Sequence, residues 1–294
     1  MPPGAGTWTT RLLAAPLSGG IRYNGPASTL FSLAALPDQD LKGAIGVAAD
    51  FSGRVQKPVL TGVVRANNLI YENNTYGTRL TNMKIRGEFT NDRLEVTELT
   101  ANAGDGTIRG EGFVSLSSDK GYPLQLALNL DNATLAKGHD LAASATGDIQ
   151  LVNSATTPAT IRGRIRLPET RYKIVYEGST KVATLTGVRR KPALGRKKIT
   201  GDADPIRGVP SNWKLDIDLV ADNQIYVSGM GLDSEWSADI KIRGTTGAPI
   251  LTGGIDLIRG TLGFAGRSFD LQSGRLRFDG NSMTNPTLRL VASG

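Results

Sequence analysis

Apolar and polar side chains alternate along most of the chain, most clearly between Ile225 and Gly280. There, Trp236, Ile240 and Ile242 stand at alternate positions, and the positions between them carry charged or hydroxyl groups. Because successive side chains of a strand point to opposite sides, this pattern predicts strands with one apolar and one polar face. Gly, Asp-Gly and Pro-containing turns divide the stretch into about five short predicted strands.

The same alternation predicts about sixteen strands from Gly43 onwards. Between two of them, Asp105-Gly106 is a strong hairpin signal. Helices are predicted only near the N-terminus, at Trp8–Ala15 and in the ten residues that follow Pro26, where Leu30, Leu33 and Ala34 share a face. The sequence therefore predicts an all-β fold with one or two short N-terminal helices.

A weak internal repeat links GRVQKPVLTGVV at 53–64 with GTTGAPILTGGI at 244–255, and TTPATIRGRI at 156–165 is a looser version. The proline is expected just before a strand, because it cannot donate to the ladder, and the glycine is expected to mark a bend or close packing. Spacings of about a hundred residues are too long for a solenoid, so the repeat indicates a family of similar hairpins.

The net charge of +7 is local, because six basic residues and no acids lie between positions 189 and 198. The segment 186–211 is rich in Pro, Gly and charge and is predicted to be a mobile loop. Its basic residues are open to three interpretations, a solvated loop, contact with anionic lipid headgroups or contact with nucleic acid, and the lack of interleaved aromatic residues disfavours the third. They are Arg189, Arg190, Lys191, Arg196, Lys197 and Lys198.

Candidate catalytic and metal-binding groups are scarce. The single histidine, His139, has no cysteine or second histidine to complete a ligand set, and Asp216, Asp218 and Asp222 lack the glycine turn and terminal glutamate of a calcium loop. The glycine pairs at 104–106 and 229–231 do not complete a dinucleotide-binding motif. We therefore expect no enzyme activity, no cofactor and no metal site.

The apolar face of about sixteen strands exceeds the ~300–600 Å² that a soluble monomer usually exposes. Open sheets of more than ~10 strands also tend to curl, split or close. Either the sheet closes on itself as a sandwich or barrel, or it curls into an open trough whose aliphatic lining is occupied by acyl chains. The alternation alone leaves both possibilities open.

Residues 212–280 resemble the C-terminal region of the TamB family, which belongs to the AsmA-like group of envelope proteins. The resemblance rests on IYVSGMGLDSEW, PILTGGIDLIRGTLGFAGRSFDL and SGRLRFDG, in which G-x-G-L-x-x-E-W and F-x-G-R-x-F-x-L are the most specific motifs. Upstream, GGIRYNGPASTLFSLAAL, KPVLTGVVRANN and TANAGDGTIRGEGFVSL are also similar to the family.

The resemblance implies a periplasmic protein, anchored in the inner membrane, whose elongated β-sheet curls into a taco-like trough with an apolar interior. It implies transport of phospholipid between inner and outer membranes, with an outer-membrane barrel partner of the TamA kind. The alternative is a β-augmentation or chaperone-like module that serves this partner in outer-membrane protein assembly and secretion. Nucleic acid is not an expected partner.

Under the transport hypothesis, thirteen apolar side chains are expected to face acyl chains. They are Ile217, Leu219, Trp236, Ile240, Ile242, Ile255, Leu257, Leu262, Phe264, Leu276, Phe278, Leu288 and Leu290.

The expected organisation is an N-terminal segment at 1–42, an amphipathic β region at 43–185, the basic loop at 186–211 and the TamB-type β region at 212–294. Family members begin with a membrane anchor and continue past NPTLRLVA, so the chain is expected to be a fragment. Its inner-membrane anchor, and parts that contact the TamA-type partner, are expected outside it.

Overall fold

The computed structural model describes residues 16, 18–32, 38–54, 57–116, 122–154, 158–175, 213–280 and 286–294. These residues form one short helix and fifteen strands. The helix is α1 (Ala27–Phe31). The strands are β1 (Gly19–Pro26), β2 (Gln39–Arg54), β3 (Lys57–Asn73), β4 (Thr78–Asn91), β5 (Arg93–Ala103), β6 (Gly106–Ser115), β7 (Leu124–Lys137), β8 (Leu141–Asn153), β9 (Thr160–Arg166), β10 (Thr170–Lys173), β11 (Lys214–Gly229), β12 (Leu232–Thr245), β13 (Ala248–Phe264), β14 (Arg267–Asp279) and β15 (Thr287–Ser293).

All fifteen strands belong to one curled sheet, which confirms the predicted all-β fold. Strands β1 to β8 follow one another in chain order, as do β11 to β15, and within each of these two series neighbouring strands pair antiparallel. Strands β9 and β10 lie end to end between β8 and β11, and both pair parallel with β11. Because of this parallel pairing, β10 ends at the sheet edge opposite the one at which β11 begins.

The strands are longer than predicted. Residues 225–280 contain the end of β11 and three strands of 13 to 17 residues, β12 to β14, and not five short strands. The prediction was wrong because it treated glycines as turns, whereas Gly253, Gly254 and Gly260 lie inside β13 with partners on β12.

The hairpin predicted at Asp105-Gly106 is present, but Ala103 pairs with Gly106 and the turn consists of Gly104 and Asp105. Helix α1 accounts for the first five of the ten residues predicted to be helical after Pro26. Leu33 and Ala34, like the helix predicted at Trp8–Ala15, lie outside the described residues.

Cross-strand pairing places apolar residues next to apolar residues throughout the sheet. Val47 of β2 pairs with Val64 of β3, and Leu219 of β11 pairs with Ile240 of β12. Since side chains of paired residues share a face, these pairs extend one apolar face across successive strands. We use "apolar face" for this side of the sheet and "polar face" for the other.

Three clusters of buried side chains lie on the apolar face, and each is formed by neighbouring elements. The first surrounds Leu69 on α1 and β2 to β5, the second surrounds Leu130 on β4 to β8, and the third surrounds Trp236 on β11 to β14 with Leu167. None of these clusters joins the two ends of the sheet. Among the described residues, Leu69 is the only large side chain with less than 2% of its surface exposed.

Bulges bend the strands. In β3 and β4 the pairing register shifts beside Asn68 and Asn82, whose φ angles are 57° and 50°. A residue in this left-handed conformation is uncommon outside glycine, and asparagine tolerates it best among larger residues. Each bulge adds an unpaired residue and so increases the local bend and twist of its strand.

The sheet curls over the β5–β6 hairpin, where β4 reaches β7. Beyond the hairpin turn, β4 and β7 come into direct contact, where the Thr78 hydroxyl donates to the Leu135 carbonyl and the Lys137 N–H donates to the Tyr76 carbonyl at 3.0 Å. Leu80 of β4 packs on the apolar cluster around Leu130. The sheet therefore curls towards its apolar face.

The glycine of the internal repeat allows close approach between strands. Gly62 and Gly253 have φ angles of 152° and 117°, and an added Cβ would lie 2.0 Å and 2.1 Å from a carbonyl oxygen of the neighbouring strand. Close packing was the expected role of this glycine. The prolines lie inside the strands and not before them as predicted, since Pro58 and Pro249 are the second residues of β3 and β13.

Gly253→Ala is expected to destabilise the protein by about 1–3 kcal/mol, because the added methyl group meets the Asp239 carbonyl and the backbone has positive φ. The measurement is the midpoint of urea unfolding followed by circular dichroism. Gly254→Ala is the matched control, since its Cβ would lie 3.3 Å from the nearest atom and its φ is ordinary. Equal midpoints for the two variants would contradict the close approach.

Candidate functional site

The register of β11 to β15 places all thirteen predicted lining residues on the apolar face. Pairing joins Ile217 to Ile242 and Leu219 to Ile240 across β11 and β12. The other nine are connected to these by the same kind of pairing and by alternation along β12 to β15. Their common face is a result of the structure, and their contact with lipid stays a prediction.

These thirteen side chains differ in exposure. Trp236 and Ile240 are buried, and Leu219, Ile242, Ile255, Leu257 and Phe278 pack against them. Towards the open end of the sheet, Phe264, Leu288 and Leu290 expose 71%, 60% and 37% of their surface. The face is thus packed at its centre and open towards β15.

Trp236 anchors the packed centre. Its indole N–H donates to the Ser234 hydroxyl at 2.8 Å, and this hydroxyl donates to the Val227 carbonyl at 3.0 Å. The ring reaches across β13 to Gly274 of β14, where an added Cβ would lie 2.8 Å from the ring. The same Cβ would lie 2.9 Å from Leu257, so the absence of a side chain at position 274 makes room for the indole.

Glu235, on the polar face, stabilises the same part of the sheet that Trp236 anchors on the apolar face. Its carboxylate accepts from Arg259 at 2.7 Å and from the backbone N–H of Gln224 at 3.3 Å. Gln224 lies in the bulge of β11 with a φ of 65°. Glu235 therefore holds the bend of β11 while Trp236, the next residue, fills the opposite face.

The sequence prediction of the lining missed further residues of this apolar face. Ala221, Ile225 and Leu251 stand at even spacing from predicted lining residues, so the alternation could have identified them. Leu271 could not be found in this way, because a bulge between Leu271 and Ser273 changes the alternation of β14.

Ion pairs cover the polar face. Arg243 contacts Asp216 at 3.2 Å and Asp218 at 2.7 Å, and Arg166 contacts Asp222 at 3.1 Å. The hydrogen bond from Arg243 lowers the pKa of Asp218 below its ordinary value of 3.8, against a smaller opposing effect of desolvation. The three aspartates considered for calcium are thus each paired with an arginine.

Other candidate groups give no chemical site. His139 is largely exposed and lies 3.8 Å from Asp140. Within the described part of the chain, no three His, Cys, Asp or Glu side chains are grouped closely enough to hold a metal ion. Arg189, Arg190, Lys191, Arg196, Lys197 and Lys198 lie outside the described residues.

The family model of the TamB C-terminal domain matches residues 97–293, which is more than half of the chain. The chain belongs to the TamB family. No curated protein and no solved structure matches it. TamB proteins are periplasmic, envelope-associated components of envelope biogenesis that are generally non-enzymatic and work with TamA-type partners.

The match includes the strands of the TamB chain from within β5 to β15, and so covers the motifs at 225–280 and the TANAGDGTIRGEGFVSL segment. The two other upstream similarities, at 19–36 and 57–68, precede the matched range. Among the residues that the structure describes, no helix is long and apolar enough to cross a bilayer.

Asp218→Asn is expected to lower the stability of the TamB chain at neutral pH. Arg243 lowers the folded-state pKa of Asp218. The contribution of the Asp218 carboxylate to folding stability is therefore present above pH 3.8 and is lost as the pH falls through the folded-state pKa. The difference in melting temperature between wild type and variant should therefore shrink as the pH falls below about 4. Asp239→Asn is the control, since Asp239 makes no ion pair within the described chain, and an equal effect of both changes would contradict this role.

Proposed function

We propose that this TamB chain holds the acyl chains of phospholipids along its apolar face and so carries lipid through the periplasm between the two membranes. The observation that carries the proposal is the unbroken apolar face, which runs from β1 to β15 and whose two ends are joined by no second layer within the described residues. Acyl chains are flexible and aliphatic, like the Leu, Ile and Val side chains that predominate on this face.

The energy of such binding is large. Each methylene group removed from water contributes about 0.8 kcal/mol, so a single acyl chain lying on the face gains several kcal/mol. Contact with an acyl chain would remove the exposed side chains of Phe264 and Leu288 from water, and this burial would contribute to the binding free energy. Transport further requires that this binding be repeated along the sheet, and the continuity of the face from strand to strand supports that requirement.

Leu276→Asp and Phe278→Asp should remove bound lipid. Both residues lie half-buried on the apolar face of β14, where a carboxylate would oppose acyl chains. A cost of about 1.4 kcal/mol already lowers retention about tenfold. The measurement is organic-solvent extraction of the purified protein with mass spectrometry, expressed as phospholipid per chain, and at least one lipid is expected for wild type.

Arg277→Asp is the matched control, because Arg277 stands between these residues on the polar face of the same strand. It should retain lipid at the wild-type level. Ile240→Asp is less suitable, since Ile240 is only 5% exposed and the change would also affect folding. Lipid-free wild-type protein, or equal lipid in all variants, would reject the trough as the lipid conduit.

The second candidate function is binding of a TamA-type barrel protein by β-augmentation. The observation that favours it is β15, which is exposed at every residue and pairs only with β14 in the described sheet. An open strand edge offers N–H and C=O groups to which an extended segment of a partner can pair.

Single proline substitutions through Thr287–Ser293 test this alternative. At alternate positions the N–H points to the open side, so proline there removes one donor to the partner without breaking the pairing with β14. Loss of binding to a purified TamA-type protein is expected at those positions. A complete set of variants that still bind would count against β-augmentation at this edge.

A further inference from the structure

Within the described strands, the apolar face carries a single charged residue. Along the fifteen described strands, Arg267 is the only Lys, Arg, Asp or Glu whose register falls on this face. Every other charged residue in those strands falls on the polar face. Arg267 is part of the F-x-G-R-x-F-x-L motif, and neither the fold nor the proposed function yet explains it.

The position of Arg267 follows from the β13–β14 hairpin. Leu262 pairs with Phe269 and Phe264 pairs with Arg267, so these four side chains lie on the apolar face, with Arg267 next to the turn at Ala265 and Gly266. The arginine is thus at the edge of the sheet, where the apolar face begins. Phe264, its cross-strand partner, exposes 71% of its surface.

Within the described part of the chain, the side chain of Arg267 is exposed and makes no hydrogen bond or ion pair. No side-chain contact there explains the arginine structurally. Several arginines of the polar face differ in this respect, since Arg243, Arg259 and Arg275 each contact a carboxylate. The hairpin turn does not require arginine either, because the left-handed conformation is taken by Ala265 and Gly266.

A phospholipid has the shape and charge that this edge would accept. Its acyl chains are apolar and continuous, and its phosphate is an anion at one end. A guanidinium group binds phosphate with two parallel hydrogen bonds, and the apolar stem of arginine can lie on an apolar surface while its charged end stays near water. One cation at the border of an otherwise uncharged face therefore matches one anion at the end of an acyl chain.

We propose that Arg267 binds the phosphate of a phospholipid headgroup at the β13–β14 edge while the acyl chains lie on the apolar face beside Leu262 and Phe269. This inference rests on the proposed function and adds to it a headgroup contact and an orientation. Lipid would lie with its headgroup at the edge that carries the β11–β12 and β13–β14 turns. Arg267 would then select phosphate-bearing lipids over uncharged ones.

A pair of ligands with the same acyl chains tests the proposal. Dioctanoyl phosphatidylglycerol carries a phosphate, and dioctanoylglycerol does not. Binding of each is measured by titration calorimetry on delipidated full-length chain, for wild type, Arg267→Gln, Arg267→Lys and the control Arg277→Gln. Arg277 lies on the polar face of the same strand and likewise makes no ion pair among the described residues.

Arg267→Gln should weaken binding of dioctanoyl phosphatidylglycerol about tenfold, or about 1.4 kcal/mol, and leave dioctanoylglycerol unchanged. Arg267→Lys should fall between Arg267→Gln and wild type, because lysine keeps the charge and loses the two-point geometry. Arg277→Gln should bind both ligands as wild type does.

Three results would overturn the inference, and they differ from one another. Equal binding of the phosphate-bearing lipid by wild type and Arg267→Gln removes the headgroup contact and leaves the proposed function standing. Failure of wild type to bind either lipid removes the proposed function itself. Saturable binding of inorganic phosphate by wild type without binding of either lipid would identify a site for free phosphate and not for a headgroup.

Discussion

Each strand of this sheet must keep its alternate side chains in step with those of its neighbours, and the rest of the structure depends on that register. A slip of one residue between β12 and β13 would turn Ile255 and Leu257 to the polar face and bring Asp256 against Trp236. The apolar face is continuous only because the register is kept across all fifteen strand pairings of the described sheet. Correct register is therefore required for any function that depends on a continuous apolar face.

Curvature is the second requirement, and the backbone supplies it at few positions. Left-handed Asn68 and Asn82 accompany bulges, and Gly62 and Gly253 bring strands closer than a side chain would permit. Where β4 meets β7 above the β5–β6 hairpin, the sheet curls enough to bury Ala103 completely. These local departures from regular pairing add to the intrinsic twist of the strands and help the sheet to curl.

The two faces of the sheet differ in how their charged side chains are paired. Many charges on the polar face are paired within the sheet, as in the contacts of Arg243 with Asp216 and Asp218. The apolar face has no such compensation for its one charge, Arg267. If acyl chains occupy the apolar face, as we propose, the same arrangement also positions a cation for the lipid phosphate.

The sequence by itself determined the class of fold, the composition of the two faces in each strand and the family. Alternation is a property of a single strand, so it was sufficient to put Trp236 and Ile240 on one face and Glu235 and Asp239 on the other. The common face of all thirteen candidate residues also needed the register between strands, because Leu257 and Leu262 share a face only through the irregularity between them in the pairing of β12 and β13. The role of the six basic residues of segment 186–211 remains a prediction from sequence.

Only the tertiary structure decided the number and length of the strands, the parallel pairing of β9 and β10 with β11, and the place of Leu271 and Arg267 on the apolar face. The sequence predicts turns at glycines such as Gly253, but in the structure pairing with the neighbouring strands keeps these glycines inside a strand. Bulges such as that beside Gln272 change the alternation at points that local pattern does not show. Both effects arise from backbone contacts between strands, which a pattern along one strand does not contain.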